Sequence, residues 1–233
     1  KLRMGLSATP YRKDGKEPVF LGHIGPVQLT ATQETMVPKI VVKRTGWKVP
    51  YVHWYGKYQR LPHEAGKTGH VTKYLAKDTE RNALIGRFAG AAYRKQRSLI
   101  IFSDTLEHLY AIHKALPSYG VPDEDIGYYV GVKSGGASPY KGMVKERKKQ
   151  REQAKAKAVI LATYAMASEA TDIPWLDACV LATPRSDVVQ IVGRIRREYP
   201  DKKQPVVLDL VDDDSSIFKA YWVKRYGWYR SLN

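Results

Sequence analysis

Cysteine is almost missing from this 233-residue chain, which carries Cys179 alone. One thiol excludes an internal disulfide framework and any multi-cysteine zinc site. Long apolar runs are missing too, and none approaches the roughly 18 residues needed to span a bilayer. The opening KLRMGLSATPYRK holds too short an apolar stretch for a secretory signal. Together these absences predict an intracellular protein with no membrane partner. Acid is scarce: 23 Asp and Glu stand against 39 Lys and Arg, a formal charge of +16. Such a balance is either a polyanion footprint or a basic but indifferent surface. Hydrophobic residues, at 43%, are plentiful enough for a core and exclude general disorder. Aromatics are plentiful as well, with 16 Tyr, 5 Trp and 4 Phe, many of them among cations. Cations that neutralise phosphate beside rings that stack on bases suit single strands or deformed duplexes.

Along the chain, residues 19–31 read as a short strand and connector, and 38–47 as a β-branched, alternating strand. Residues 46–74 hold six rings, five Lys or Arg and many turn formers, which predicts an aromatic-rich insertion or hairpin. Its role is open between strand separation and self-packing. From Asp78, a candidate N-cap, Leu84, Ile85, Phe88, Ala89 and Ala92 share one helical face. A regular rhythm follows. Strands are predicted at 98–102, 126–130, 158–163, 177–183 and 205–211. Helices are predicted after the capping-box pair Asp104 and Glu107, over 138–157, over 187–197 and at the C-terminus. Strands alternating with helices predict an α/β fold, a parallel sheet with helices on both faces. In such sheets function sits at the carboxyl ends of the strands.

The segment QIVGRIRR (190–197) is the most informative. At about 100° per residue, Val188, Ile191, Val192 and Ile195 share one side of a helix. Gln190, Gly193, Arg194 and Arg197 share the other, at i, i+3, i+4 and i+7. A glycine inside a helix costs roughly 1 kcal/mol against alanine, so close approach of something should compensate it. One reading is a solvated Arg face with a tolerated glycine. The other is a pair of arginines aimed at a nucleotide phosphate, for which a permanent charge and a planar fork are suited.

QIVGRIRR matches the QxxGRxxR pattern of superfamily 2 helicases, their motif VI. GLSATP (5–10) resembles motif III, LIIFSDT (99–105) motif IV, and ILATYAMASEATDIP (160–174) motif V, all in the family's order. The chain therefore resembles the superfamily 2 DNA helicases and translocases of the phage UvsW-like group, as their C-terminal RecA-like motor domain. The resemblance implies that Arg194 and Arg197 act as arginine fingers, with Gln190 and Gly193 shaping that surface. It implies that Asp172 touches the nucleotide, that Ser103, Thr105 and Thr163 bind nucleic-acid phosphate, and that Ser7 and Thr9 couple hydrolysis to movement. Read without the family, Thr105 and Thr163 are turn caps and Asp172 a helix cap. Ala170 stands where motif V usually carries glycine. The implied cofactor is ATP with Mg2+, and the implied partners are DNA and an N-terminal RecA-like domain.

A phosphate-binding loop and an acidic magnesium motif are both lacking. GKT at 66–68 is a decoy, because no glycine stands five residues before Gly66 and no buried strand leads in. The expected organisation is the tail of a first motor domain over 1–35 and a second motor domain over 36–233. Such a piece is expected to be inactive alone, and a phage or viral source is open. Alternatives are a non-catalytic nucleic-acid binding or annealing module, or an RNA helicase motor. No metal site is expected. His53, His63 and His70 lie near Glu64 only, and Asp212, Asp213 and Asp214 read as caps of the last helix. The basic stretch 141–157 carries eight Lys or Arg against two Glu and reads as a solvated helix face. Phe218 and Trp222 are expected to pack in the core.

Overall fold

The computed structural model describes residues 4–5, 15–28, 35–64, 66–131, 147–167 and 173–232. The chain divides into two units, Lys1–Glu34 and Thr35–Asn233. In the first, residues Glu17–Ile24 form helix α1, not the strand expected over 19–31. Pro18 falls in the first turn, where its missing N–H costs nothing, and Gly25 at φ 106 ends the helix. These two punctuating residues outweigh the β-branched Val19 and Ile24, which are both exposed.

The second unit is built on six parallel strands. They are β1 (Lys39–Arg44), β4 (Leu99–Ser103), β5 (Ile126–Tyr129), β6 (Val159–Thr163), β7 (Ala178–Leu181) and β8 (Val206–Val211). Their spatial order is β1-β8-β7-β4-β6-β5. Because side chains alternate across a strand, each strand feeds two separate cores. Ile100, Phe102, Ile160, Ala162, Cys179, Leu181 and Val207 enter one core. Helix α6 (Val189–Ile195) covers this face, with Tyr229 of α7 (Ser216–Arg230). Leu99, Ile101, Val159, Leu161, Ala178, Val180 and Leu208 enter the other, under α3 (Thr79–Arg94) and α4 (Leu106–Ala115). The expected α/β sheet with helices on both faces is the observed one.

Local chemistry sets the helix starts. Asp78 caps α3 by accepting from the Arg81 N–H. The cap of α4 is Thr105, which accepts from the His108 N–H at 3.3 Å, rather than Asp104 of the expected capping box. Asp104 is withdrawn because its carboxylate already accepts from Thr183 and pairs with Arg185. Gly90 lets α3 pack tightly, since a Cβ there would strike the Tyr119 carbonyl.

The expected insertion is a hairpin of β2 (Tyr51–Trp54) and β3 (Lys57–Arg60), followed by α2 (Thr68–Leu75). It has a small core of its own: Trp47, Val49, Leu61, Val71 and Leu75 close around Phe218 at the start of α7. Phe218 is buried as expected, and Trp222 packs partly buried against the sheet core. Of the long basic helix expected over 138–157, Arg147–Lys155 (α5) lies within the described residues, and 138–146 lies outside them.

Candidate nucleotide and nucleic-acid site

The helix carrying QIVGRIRR has the two sides its periodicity demands. Val188, Ile191, Val192 and Ile195 are buried against the sheet. Gln190 is exposed, and Gly193 and Arg194 are half-buried. A Cβ built at Gly193 meets no atom within 4 Å, so nothing among the described residues occupies the space beside it. Arg197 departs from the expected pattern. The α-helix stops at Ile195, and Arg197 lies beyond it, half-buried, in an antiparallel bridge to Thr35. Beyond the helix end the Lys202 ammonium donates to the Arg197 and Pro174 carbonyls at 2.8 Å each. Burial lowers the Lys202 pKa to about 8, with Asp177 opposing and Arg197 adding to the fall.

Arg196, between the two flagged arginines, has a different task that the pattern did not signal. Its guanidinium donates to the Met36 carbonyl at 3.0 Å and to the Thr35 hydroxyl at 2.9 Å. The Met36 N–H returns a bond to the Arg196 carbonyl at 2.8 Å. The end of α6 is therefore stitched to the segment that leads into β1.

Ser103 and Thr163 end neighbouring strands in register, so the sheet brings them side by side at its carboxyl edge. Their surroundings differ. Ser103 is fully buried at the start of a hydrogen-bond chain. The Asn82 amide donates to the Ala76 carbonyl at 2.9 Å, which leaves its Oδ1 to accept from His108 Nε2, also at 2.9 Å. His108 Nδ1 must then accept from the Ser103 hydroxyl, 2.9 Å away. That tautomer is neutral, and burial, with the Arg81 charge adding, holds the His108 pKa down to about 3. Thr105 spends its hydroxyl on the α4 cap. Thr163 is half-buried and makes no capping bond. Asp172, Ser7 and Thr9 lie outside the described residues.

Beside Ser103 the edge carries a group that sequence reasoning missed. The Thr183 hydroxyl donates to Asp104 at 3.0 Å, and Arg185 pairs with the same carboxylate. The Arg185 guanidinium lies over the Tyr164 ring, 4.8 Å from its centroid. Tyr164 donates to the Thr183 carbonyl at 2.8 Å and stacks on Phe102. Arg185 remains half-exposed, a cation presented at the edge where such sheets bind ligands. Only the dipeptide Pro184-Arg185 after a strand could have hinted at it.

Two further arginines are fully buried and were not anticipated. Arg81 is held by Asp212 through Nε at 3.0 Å and Nη2 at 3.1 Å, and also donates to the Ala182 carbonyl. Arg225 grips Asp209 through Nε at 2.7 Å and Nη2 at 2.9 Å, with the Tyr229 hydroxyl on the same carboxylate at 2.8 Å. Burial opposes the Arg225 charge, but Asp209 more than offsets it, and the pKa is raised. Arg225 also donates to the Arg185 carbonyl, two residues before Asp187, and so fixes the loop that enters α6.

The aspartates after β8 do not cap α7. Asp212 pairs with Arg81, Asp213 with Arg44, and Asp214 with Lys48 and Arg60, while Ser215 takes the cap position without a side-chain bond. Cations brought in from the insertion, β1 and α3 outbid the helix end for them. Among the described residues no group of three or more His, Cys, Asp and Glu could hold a metal ion. No helix among them is long and apolar enough to cross a membrane.

No family model matches the chain. It is similar to a protein of Acanthamoeba polyphaga mimivirus that bears the name of an ATP-dependent RNA helicase, with 24% identity over 231 residues. The match covers 99% of this chain and 42% of that protein, so the chain spans less than half of its curated relative. Among solved structures it is similar to T4 UvsW, with a TM-score of 0.50 and 21% identity over 72% of this chain and 36% of that one. It is also similar to S. cerevisiae Dbp5 bound to RNA and ADP BeF3, with a TM-score of 0.52 and 13% identity over 97% of this chain and 54% of that one. What this likeness shows is the fold, a RecA-like α/β sheet shared with these structures.

Proposed function

We propose that the chain is the second motor half of an ATP-dependent nucleic-acid helicase or translocase, whose nucleotide lies between this domain and a first RecA-like domain. One observation carries the reading. The helix bearing QIVGRIRR buries its apolar side, while on the other side Arg194 is half-buried beside Gly193, where an added Cβ would meet no atom within 4 Å. A triphosphate fits that donor set, since a half-buried guanidinium is less screened than one in bulk water and its fork matches phosphate oxygens. Arg194 and Arg197 would meet the γ-phosphate, and Gln190 would border it. Bound ATP with Mg2+ supplies the phosphoryl group whose hydrolysis drives movement. Asp212, Asp213 and Asp214 are committed to cations of this domain, and the metal's ligands would come from the other half. Asp172 is assigned to the nucleotide, and Ser7 and Thr9 to coupling, on the motif resemblance alone.

The nucleic-acid track would run over the carboxyl edge, where Thr163, Thr105 and Arg185 reach the surface. Ser103 would act there through His108 and the α4 start, because its hydroxyl is committed. Phosphate contacts of this kind do not read the sugar. The motif pattern favours DNA, whereas the relative's name and the RNA-bound neighbour favour RNA. In the full-length protein, Arg194→Ala is expected to abolish strand-stimulated ATP turnover while strand binding persists. Stimulation by DNA against RNA in the same assay assigns the track. Undiminished turnover in the variant would overturn the motor reading in favour of a non-catalytic binding module.

A further inference from the structure

The hairpin of β2 and β3 makes two faces with opposite destinies. Cross-strand partners share a face, and the register pairs Tyr51 with Arg60, Val52 with Gln59, His53 with Tyr58, and Trp54 with Lys57. Val52 and Trp54 turn inward onto the small core around Phe218. Tyr51, His53 and Tyr58 turn outward. Tyr51 is 61% exposed and Tyr58 68% exposed, yet their rings lie 5.9 Å apart, and the His53 ring lies 5.3 Å from Tyr58. Three rings form a ladder on the water side of a small sheet, where burial gives them nothing.

The tip is more unusual. Tyr55 and Gly56 are the two central residues of the turn, with φ of 48° and 77°. A two-residue hairpin of positive φ at both positions favours Asn-Gly or Asp-Gly. Glycine meets the demand freely, but a bulky aromatic in the left-handed region is strained. Tyr55 is nonetheless 89% exposed, and its ring meets Trp54 edge-on at 5.5 Å. A strained residue that buries almost nothing points to a use outside the domain.

Charge selects the user. Residues 46–63 contain Lys48, Lys57, Arg60, His53 and His63 and no carboxylate. Asp214 reaches the hairpin's base, where it holds Lys48, Arg60 and the Val49 N–H and so fixes the hairpin to the domain. Rings in a row, set among cations on a rigid mount, match the alternating bases and phosphates of an unpaired strand.

We propose that the Tyr51, His53 and Tyr58 rings form a stacking platform for the bases of single-stranded nucleic acid, with Tyr55 exposed at its tip, separate from the strand edge that carries Thr163. The proposal rests on the nucleic-acid partner of the preceding reading, but not on ATP turnover. The test is fluorescence anisotropy of the full chain with a short labelled oligo-dT strand and with an abasic strand of the same length. The unmodified chain should bind the strand with bases more tightly. Tyr51→Ala with Tyr58→Ala should weaken that binding by about 10-fold or more and erase the preference, because each stacked base contributes about 1–3 kcal/mol. The abasic strand should bind nearly unchanged. Tyr55→Asn separates platform from scaffold. It relieves the turn, so the unfolding temperature should hold or rise while base preference falls. If the unmodified chain binds neither strand, nor oligo-U RNA in the same assay, the nucleic-acid reading itself fails. If it binds and the variants keep full affinity and base preference, the platform alone is overturned and the tyrosines serve another partner, such as a protein. A lowered unfolding temperature in Tyr55→Asn with unchanged base preference would likewise make the tip a packing element and overturn it.

Discussion

Arg225 and Arg194 lie on the same side of one sheet and have opposite surroundings. Arg225, like Arg81 on the other face, is fully buried, its fork closed on the Asp209 carboxylate within β8 and on the Arg185 carbonyl. Arg194 is half-buried on the outward side of α6, next to a glycine with empty space beside it. Arginine is suited to both posts because its charge is permanent and its donors are planar. The difference lies in burial. The Arg225 fork is sealed inside the domain on Asp209, so the residue holds the fold. Arg194 is only half-buried, and the glycine beside it leaves room for a second body.

Substitutions can break this contrast, and the buried pair should respond most in stability. Removing one partner strands a buried charge, so Arg225→Ala or Asp209→Asn should cost about 3–5 kcal/mol in denaturant unfolding of the chain. Replacing both with apolar residues, Arg225→Met with Asp209→Leu, should recover most of the loss, because a buried ion pair contributes little net stability. Arg194→Ala, at a half-buried position, should cost clearly less than either single change. Equal losses at Arg194 and Arg225 would erase the distinction.

Acid sharpens it next. His108 is neutral in the fold with a pKa near 3, against 6.5 ordinarily, so protons prefer the unfolded chain. The folded state therefore keeps its full stability above about pH 6.5 and loses it as pH falls, by about 2 kcal/mol at pH 5. His108→Gln should flatten that slope in unfolding curves taken from pH 7 to pH 5. An unchanged slope would mean that the chain from Asn82 to Ser103 is not what responds to acid.

The same contrast explains what could be read in the sequence. Apolar runs marked every strand of the large sheet, and the 3.6-residue period marked the buried side of α6, since both record burial directly. Charged residues carry no such record. Arg81 meets Asp212 across 131 residues, and Arg225 sits among polar and aromatic neighbours in a helix that reads as surface. Their burial exists only after folding. Asp212, Asp213 and Asp214 were misread for that reason, because the cations that claim them arrive from three distant segments. Arg197 lies past the end of α6, where Pro200 has no N–H to carry the helix on and Arg196 is bonded to Thr35 and Met36, contacts no periodicity encodes. Gln190, Gly193 and Arg194 stayed on the expected side because their helix is set by its apolar half.

Gly193 gives the most direct test. Glycine within a helix is less favourable than alanine by about 1 kcal/mol, and a Cβ here meets nothing in this domain. If a partner lobe and its nucleotide close onto this side of α6, Gly193→Ala should make the chain slightly more stable and yet slow the full-length enzyme. Strand-stimulated ATP turnover of the full-length Gly193→Ala protein is the deciding measurement. A clear fall beside an equal or higher unfolding temperature is the predicted result. Unaltered turnover in the stabilised variant would contradict the account and leave α6 as an ordinary basic helix on a basic surface.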